Sequence, residues 1–291
     1  MADPRPRGLY DQCCTFQRNG EPMTDSEQSA SDWTPENFRT DVPHSARIYD
    51  YWLGGKDNFE ADRNAAEFTL QMMPQMLDYA RGNRQFMVRV VRFLAGAGIR
   101  QFLDIGTGFP TSPNVHEIAQ ETAPGSRIAY VDYDAMVVSH AQTLMATNPD
   151  IRIIKADLRD VDKVLRESAE QLDFTQPVAL MFVACLHHLE DEDDPAGVVA
   201  RYVPAVAPGS YLVLSHLTNE FAPEPMQMLH DEAKRRGGET IRARSKEDIA
   251  AMFGGRELLA PGLVLVSYWR PDGDPGPNAD RAWAYGGVAP I

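Results

Sequence analysis

Cysteine is scarce in this chain, basic charge is outweighed, and no apolar run is long. Three cysteines occur in 291 residues, Cys13, Cys14 and Cys185. An odd count with two adjacent members gives no disulfide framework. No Cys-x-x-Cys spacing suggests a metal site. A reduced, cytoplasmic setting is expected. Lys and Arg number 28 against 42 Asp and Glu, a formal net charge of −14. Such a balance argues against a broad nucleic-acid surface, which needs basic charge to displace counterions, while leaving room for a local basic pocket. The longest apolar run, Val178–Leu186, is far too short to span a bilayer, and the amino terminus carries no apolar signal core. The expected partner is a small molecule, neither nucleic acid nor membrane, with oligomeric state left open.

What is present points to one sizeable α/β domain. Hydrophobic residues make up 43% of the chain, enough for a large core. Residues 1–40 are polar and non-periodic and read as a flexible arm. Within it, Met23-Thr24-Asp25-Ser26-Glu27 has the form of an ordinary protein start, so residues 1–22 are a candidate upstream extension. Residues 41–98 read as a helical segment: an aromatic-rich stretch at Ser45–Leu53, a Gly54-Gly55 break, a helix from about Glu60 interrupted near Pro74, and a helix from about Leu77 to Ala95. Phe86, Val90, Val91, Phe93 and Leu94 give the last helix its apolar face, and Arg84, Arg89 and Arg92 mostly lie off it.

Residues 99–291 then alternate strand and helix. Strands are expected at Gln101–Ile105, Arg127–Val131, Ile151–Lys155, Val178–Ala184 and Tyr211–Ser215, with helices between them. This rhythm predicts a parallel sheet with right-handed crossovers and helices on both faces. The last two strands, Leu263–Trp269 and Ala282–Val288, are joined by a Pro/Gly/Asp-rich loop alone and are expected to pair antiparallel. Five parallel strands closed by an antiparallel hairpin form the class I methyltransferase arrangement, a Rossmann-like sheet.

The first strand carries the sharpest signal. Asp104-Ile105-Gly106-Thr107-Gly108 places an acid and two glycines where a buried strand turns into a ligand-holding loop. Glycine lets the backbone approach a ligand that a Cβ would meet. A nicotinamide fingerprint reads Gly-x-Gly-x-x-Gly and requires no acid two residues before it. Here Asp104 is present and Thr111 takes the third glycine position, which favours S-adenosylmethionine. Asp132 ends the second strand 24 residues after Gly108, near the roughly 20 expected of a ribose-reading acid. Asp134 competes for that role, with an N-cap as its ordinary use. Tyr133 could lie along the adenine edge. Asp157 ends the third strand, where it could accept from the adenine amino group with Leu158 packed on the ring. Ala184 ends the fourth strand and opens Cys185-Leu186-His187-His188, which should floor the pocket near the transferred methyl group. No catalytic residue can be assigned, although His187, His188 and His216 are candidate bases; a metal role for His-His-x-Glu is not expected. Upstream, Tyr51 could face a sulfonium and Arg47 or Lys56 could pair with a carboxylate, against the plainer reading of a packed helix end and a turn.

Three stretches together resemble a known family. Ser45–Phe59, with its Tyr-x-x-Gly-Gly-Lys-Asp-Asn core, Phe102–Thr111, and Leu186-His187-His188-Leu189 are similar to an actinobacterial family of S-adenosylmethionine-dependent methyltransferases once known only as a domain of unknown function. The resemblance covers about residues 40–290. It implies S-adenosylmethionine over Asp104, Gly106, Gly108, Asp132 and Asp157, with the Arg47–Asn58 segment folding over the pocket as a lid. It implies no acceptor. The expected activity is methyl transfer to an unidentified small molecule. The absence of an Asn-Pro-Pro-Tyr-like motif weakens a nucleic-acid or protein amino acceptor. The alternatives are a nicotinamide-dependent oxidoreductase, which Asp132 would also serve, and a non-catalytic binder of S-adenosylmethionine.

Overall fold

The computed structural model describes residues 39–145 and 147–291. The expected arm up to residue 38, the alternative start at Met23, and Cys13 and Cys14 lie outside the described residues. Three helices come first: α1 (Ser45–Trp52), α2 (Glu60–Met72) and α3 (Met76–Gly96). The alternating body follows as β1 (Gln101–Ile105), α4 (Val115–Thr122), β2 (Arg127–Asp132), α5 (Ala135–Met145), β3 (Ile151–Lys155), α6 (Val161–Ser168), β4 (Ala179–Val183), α7 (Pro195–Tyr202) and β5 (Tyr211–Leu217). The chain closes with α8 (Pro223–Arg235), α9 (Lys246–Ala251), β6 (Val264–Leu265) and β7 (Ala284–Pro290).

The strands form one seven-stranded sheet in the order β3-β2-β1-β4-β5-β7-β6. β1 to β5 are parallel, and β7 runs antiparallel between β5 and β6. The order reverses between β1 and β4, the switch point where α/β sheets bind ligands at their carboxyl edge. Side chains alternate across β1. Phe102 packs with Phe86, Val90 and Leu94 of α3 and Ile118 of α4, whereas Leu103 and Ile105 pack with Val164 of α6 and Val199 of α7. By the same alternation Asp104 shares the α3 side with Phe102.

One expected strand is shorter than its sequence suggests. Leu263–Trp269 is apolar, yet only Val264 and Leu265 pair with β7, and Val266–Tyr268 turns into a 3-10 helix. Arg89 of α3 explains the departure. Its guanidinium donates to the Val266 carbonyl at 2.6 Å and the Trp269 carbonyl at 2.8 Å, which draws the segment off the ladder. Trp269 then packs edge-on against Phe86 and Phe93. Gly286 of β7 permits this close approach, since a Cβ there would sit 2.9 Å from the Phe86 ring.

Candidate functional site

A cavity of about 220 Å³ lies over the carboxyl ends of β1, β2 and β4, under α1 and α2 and beside α3. One water needs only about 10–15 Å³ on the same measure, so the space suits a ligand of nucleoside size. Asp104, Gly106, Thr107, Gly108, Asp132, Tyr133, Leu158 and Ala184 all line it. Arg47, Tyr51, Lys56 and Asp157 are not among the lining residues.

The glycine loop is shaped by its neighbours. Gly106 has φ +73°, and a Cβ there would fall 2.4 Å from the Cβ of Cys185. Only glycine satisfies both constraints. Its N–H donates to the Val131 carbonyl at 2.8 Å, as does that of Thr107 at 3.2 Å. Gly108, at φ +65°, has no atom within 4 Å of an added Cβ, so open cavity adjoins its backbone.

Two acids sit behind this loop. Asp132 accepts from the Gly108 N–H at 2.9 Å and from the Asp134 N–H at 3.0 Å. A carboxylate has about four acceptor sites, so capacity for ligand hydroxyls remains. Asp134 is used differently. It accepts from the N–H groups of Met136 and Val137 and caps α5. Among the described residues, the Asp104 carboxylate accepts only from the Thr107 hydroxyl, at 3.2 Å. Burial pushes both Asp104 and Asp132 up to about 6, because each charged form has lost water. Both acids thus offer acceptor capacity to a ligand's donors.

Arg84 is a cation that the sequence does not single out. It lines the cavity from α3, and its guanidinium donates to the carbonyls of Thr111 and Pro113. Its Nε is buried and, among the described residues, has no hydrogen-bond partner. Its charge also acts on Asp104, lowering the carboxyl against the larger effect of burial. The pair offers a negative and a positive group to one ligand, matching an amino-acid zwitterion. The residues therefore fit the methionine end of S-adenosylmethionine. By helical periodicity Arg84 is only an off-face arginine, and its contact with residues 111–113, far along the chain, is what reveals it.

Three of the four residues outside the lining are engaged by other protein groups, and the fourth, Lys56, faces solvent. Arg47 is buried and pairs with fully buried Asp62 at 2.9 Å, while donating to the Val42 carbonyl at 2.5 Å. The Tyr51 hydroxyl donates to Glu67 at 3.0 Å. The Asp157 carboxylate is forked by Arg159 at 2.6 and 3.0 Å, which holds its carboxyl below the usual range. The Gly54-Gly55-Lys56-Asp57-Asn58 stretch closes on Asp50. That buried carboxylate accepts from the Asp57 N–H and the Asn58 amide, each at 2.9 Å. A Cβ at Gly55 would fall 1.8 Å from Asp50 Oδ1. The motif is a turn that fixes α1, which then presents Ile48, Tyr49 and Trp52 to the cavity.

Beyond the glycine loop the chamber turns aromatic. Tyr49, Trp52, Phe68 and Tyr79 line it, with Leu229 and Ile241 from the segments around α8. A polar chain underlies this half. Ala184 N–H donates to the Ser215 hydroxyl at 3.0 Å, which donates to Asn83 Oδ1 at 2.6 Å. The Asn83 amide donates to the Tyr49 hydroxyl at 3.1 Å. Ala184 needs this support, because its φ of +58° is disfavoured for a residue with a side chain. His187 and His188 line the chamber, whereas His216 is outside its lining and accepts from Arg244. Among the described residues, no group of three His, Cys, Asp or Glu could hold a metal. No helix there is long and apolar enough to cross a membrane.

Sheet order and glycine loop together define a class I, S-adenosylmethionine-dependent methyltransferase. The family model described as S-adenosyl methyltransferase matches residues 31–291, and the chain belongs to that family. It is similar to a candidate methyltransferase from Thermobifida fusca YX, with 40% identity over 88% of this chain and 97% of that one, at a TM-score of 0.81. A DUF574 family protein from Streptomyces avermitilis MA-4680 is 43% identical over 86% of this chain and 98% of that one, also at 0.81. No functionally curated protein matches. The cofactor is S-adenosylmethionine and the acceptor is unidentified. The nicotinamide alternative falls with the family assignment.

Proposed function

We propose that the enzyme methylates a small, largely apolar molecule that enters the aromatic half of the cavity. The observation that carries this reading is the continuity of one cavity from the Asp104–Gly108–Asp132 edge to the chamber of Tyr49, Trp52, Phe68 and Tyr79. S-adenosylmethionine supplies an electrophilic methyl group on a sulfonium. The chain's own residues bind and orient. Asp132 accepts from the ribose hydroxyls, Asp104 from the methionine ammonium, and Arg84 pairs with its carboxylate. Gly106, Thr107 and Gly108 let the backbone approach. Tyr133 and Leu158 flank the adenine, and Ala184 sits at the junction of the two halves. Asp157 has no part while Arg159 holds it. The helices α1 to α3 serve as the lid, with α1 fixed by Asp50 and by the Arg47–Asp62 pair. Holding the reacting atoms in line supplies most of the acceleration in such a site. No group is required to protonate a thioether leaving group.

The walls support a small acceptor over a macromolecular one. A polymer would need an open basic track, whereas the chamber is roofed by α1 and α2 and the chain is acidic. The test supplies methyl-labelled S-adenosylmethionine and a protein-free small-molecule extract of an actinobacterial cell. Labelled product should appear in the small-molecule fraction with stoichiometric S-adenosylhomocysteine. Label confined to added protein or nucleic acid would contradict the reading.

A further inference from the structure

We infer that His188 is the group that receives the acceptor's proton, and that the acceptor is an aromatic hydroxyl compound. The inference rests on the proposed small-molecule reading and gives it a substrate class. His188 lies on the 3-10 turn Leu186–His188, two residues after β4, and it lines the cavity. Its Nδ1 lies 3.1 Å from the Thr240 carbonyl. A carbonyl can only accept, so Nδ1 carries the proton and Nε2 the lone pair. Among the described residues, no protein group hydrogen-bonds Nε2. Thr240 is itself held, because its hydroxyl donates to Glu190 at 2.7 Å. The tautomer is therefore set by a partner outside the cavity, the arrangement that orients a histidine base.

The neighbouring histidines differ. Among the described residues, the buried Nδ1 of His187 has no hydrogen-bond partner, and no contact there sets its tautomer. Its ring meets His188 at 4.5 Å and Tyr79 edge-on at 6.4 Å between centroids, so it braces the base. His216 Nε2 lies 3.1 Å from an Arg244 nitrogen that can only donate, which consumes its lone pair.

The chemistry of the acceptor follows. Flat aromatic walls suit a flat aromatic body. Burial lowers His188 to about 4, so its imidazole is neutral and accepts from the O–H donor, and a hydroxyl ordinarily near about 10 becomes far more acidic as its oxygen bonds to carbon, which lets its proton pass. The O–H bond breaks and its proton passes to His188 Nε2. The oxygen's electron pair forms the new O–CH3 bond while the C–S pair remains on sulfur. His188 then releases the proton to water, so charge balances.

The test uses full-length protein saturated with S-adenosylhomocysteine, whose binding is measured first by calorimetry. If it does not bind, the cofactor reading fails, independently of the acceptor. To the saturated protein 2-naphthol or 2-fluoronaphthalene is added, two bodies of one shape that differ in the donor. A hydrogen bond at Nε2 predicts about tenfold tighter binding of 2-naphthol. His188→Leu should abolish the preference, and His188→Gln, which keeps an acceptor, should restore part of it. Should the variants fail to fold, the nitrogen resonance of wild-type His188 Nε2 supplies the readout, moving with 2-naphthol and not with 2-fluoronaphthalene. Failure of 2-naphthol to bind, equal binding of both compounds, a preference that survives in His188→Leu, or an unmoved Nε2 resonance would overturn the inference.

Discussion

The Asp132 carboxylate accepts the Gly108 N–H at 2.9 Å, tying the loop after β1 to the end of β2. The acid that should read a ribose also holds the loop that should cradle it. Asp132→Ala therefore removes both an acceptor for ligand hydroxyls and a brace for the loop. A hydrogen bond to a charged group is worth about 1.5–3 kcal/mol, so affinity for S-adenosylhomocysteine should fall by about tenfold or more. Calorimetry on the folded variant checks this.

Asp104 allows a separation of stability from binding. Its carboxyl is raised to about 6 against an ordinary 3.8, chiefly by burial. The native state then keeps a proton that the unfolded chain has released. The associated stability is complete below about 4 and lost as pH rises through about 6. Asp104→Asn should raise the melting temperature near pH 8 and leave it nearly unchanged near pH 4, while weakening ligand binding chiefly near pH 8. Thermal melts across this range supply the measurement, and a lower melting temperature near pH 8 would count against the assignment.

The same acids set the pH dependence of cofactor binding. Asp104 and Asp132 must be ionised to accept an ammonium and two hydroxyls, and both sit near 6 in the free protein. Binding favours their charged forms and so releases protons around that pH. Affinity for S-adenosylhomocysteine should fall several-fold between about pH 7.5 and about pH 5. A flat profile would contradict the roles given to both.

Two arginines should part company on mutation. Arg84→Met removes the cation beside Asp104 and is expected to weaken S-adenosylmethionine binding at least tenfold with a modest change in stability. Arg47→Met leaves the buried Asp62 charge unpaired, a loss of about 3–5 kcal/mol for a broken buried pair. The folded fraction of that variant should still bind the cofactor. Parallel melts and titrations decide, and the reverse pattern would restore Arg47 to the pocket.

Gly55→Ala probes the Gly-Gly-Lys-Asp-Asn turn. Its Cβ would overlap the Asp50 carboxylate, at 1.8 Å from Oδ1. Overpacking of this kind costs about 1–3 kcal/mol, seen as a lower melting temperature. Gly54→Ala is a different case, since Gly54 has φ +82° and open space around it, and any loss there comes from backbone strain.

The sheet is readable from sequence because its signals are local. Gln101–Ile105 and Ile151–Lys155 are short segments rich in apolar and β-branched residues, each following a turn signal, and their bounds match the structure. The three strand-end acids are visible for the same reason. Their fates are not, since Asp132 faces open cavity while Asp157 is taken by Arg159 two residues on. The long-range partners are invisible too. Arg84 reaches residues 111–113, Arg89 unpicks a strand near residue 266, and Thr240 orients His188 from 52 positions away. Nothing in the local pattern around those residues marks such contacts. The Tyr51–Asn58 signature shows the opposite gap, being easy to see and hard to interpret. Its Asp57 and Asn58 close a turn on Asp50.

The central claim is that S-adenosylmethionine lies over Asp104, Gly106–Gly108 and Asp132, between the sheet edge and Arg84. Calorimetric titration of S-adenosylhomocysteine into wild-type protein and into Asp132→Ala tests it most directly. One saturable site per chain in the wild type, weakened about tenfold or more in the variant, is the predicted result. No saturable binding, or equal affinity in a variant shown to be folded, would contradict the account.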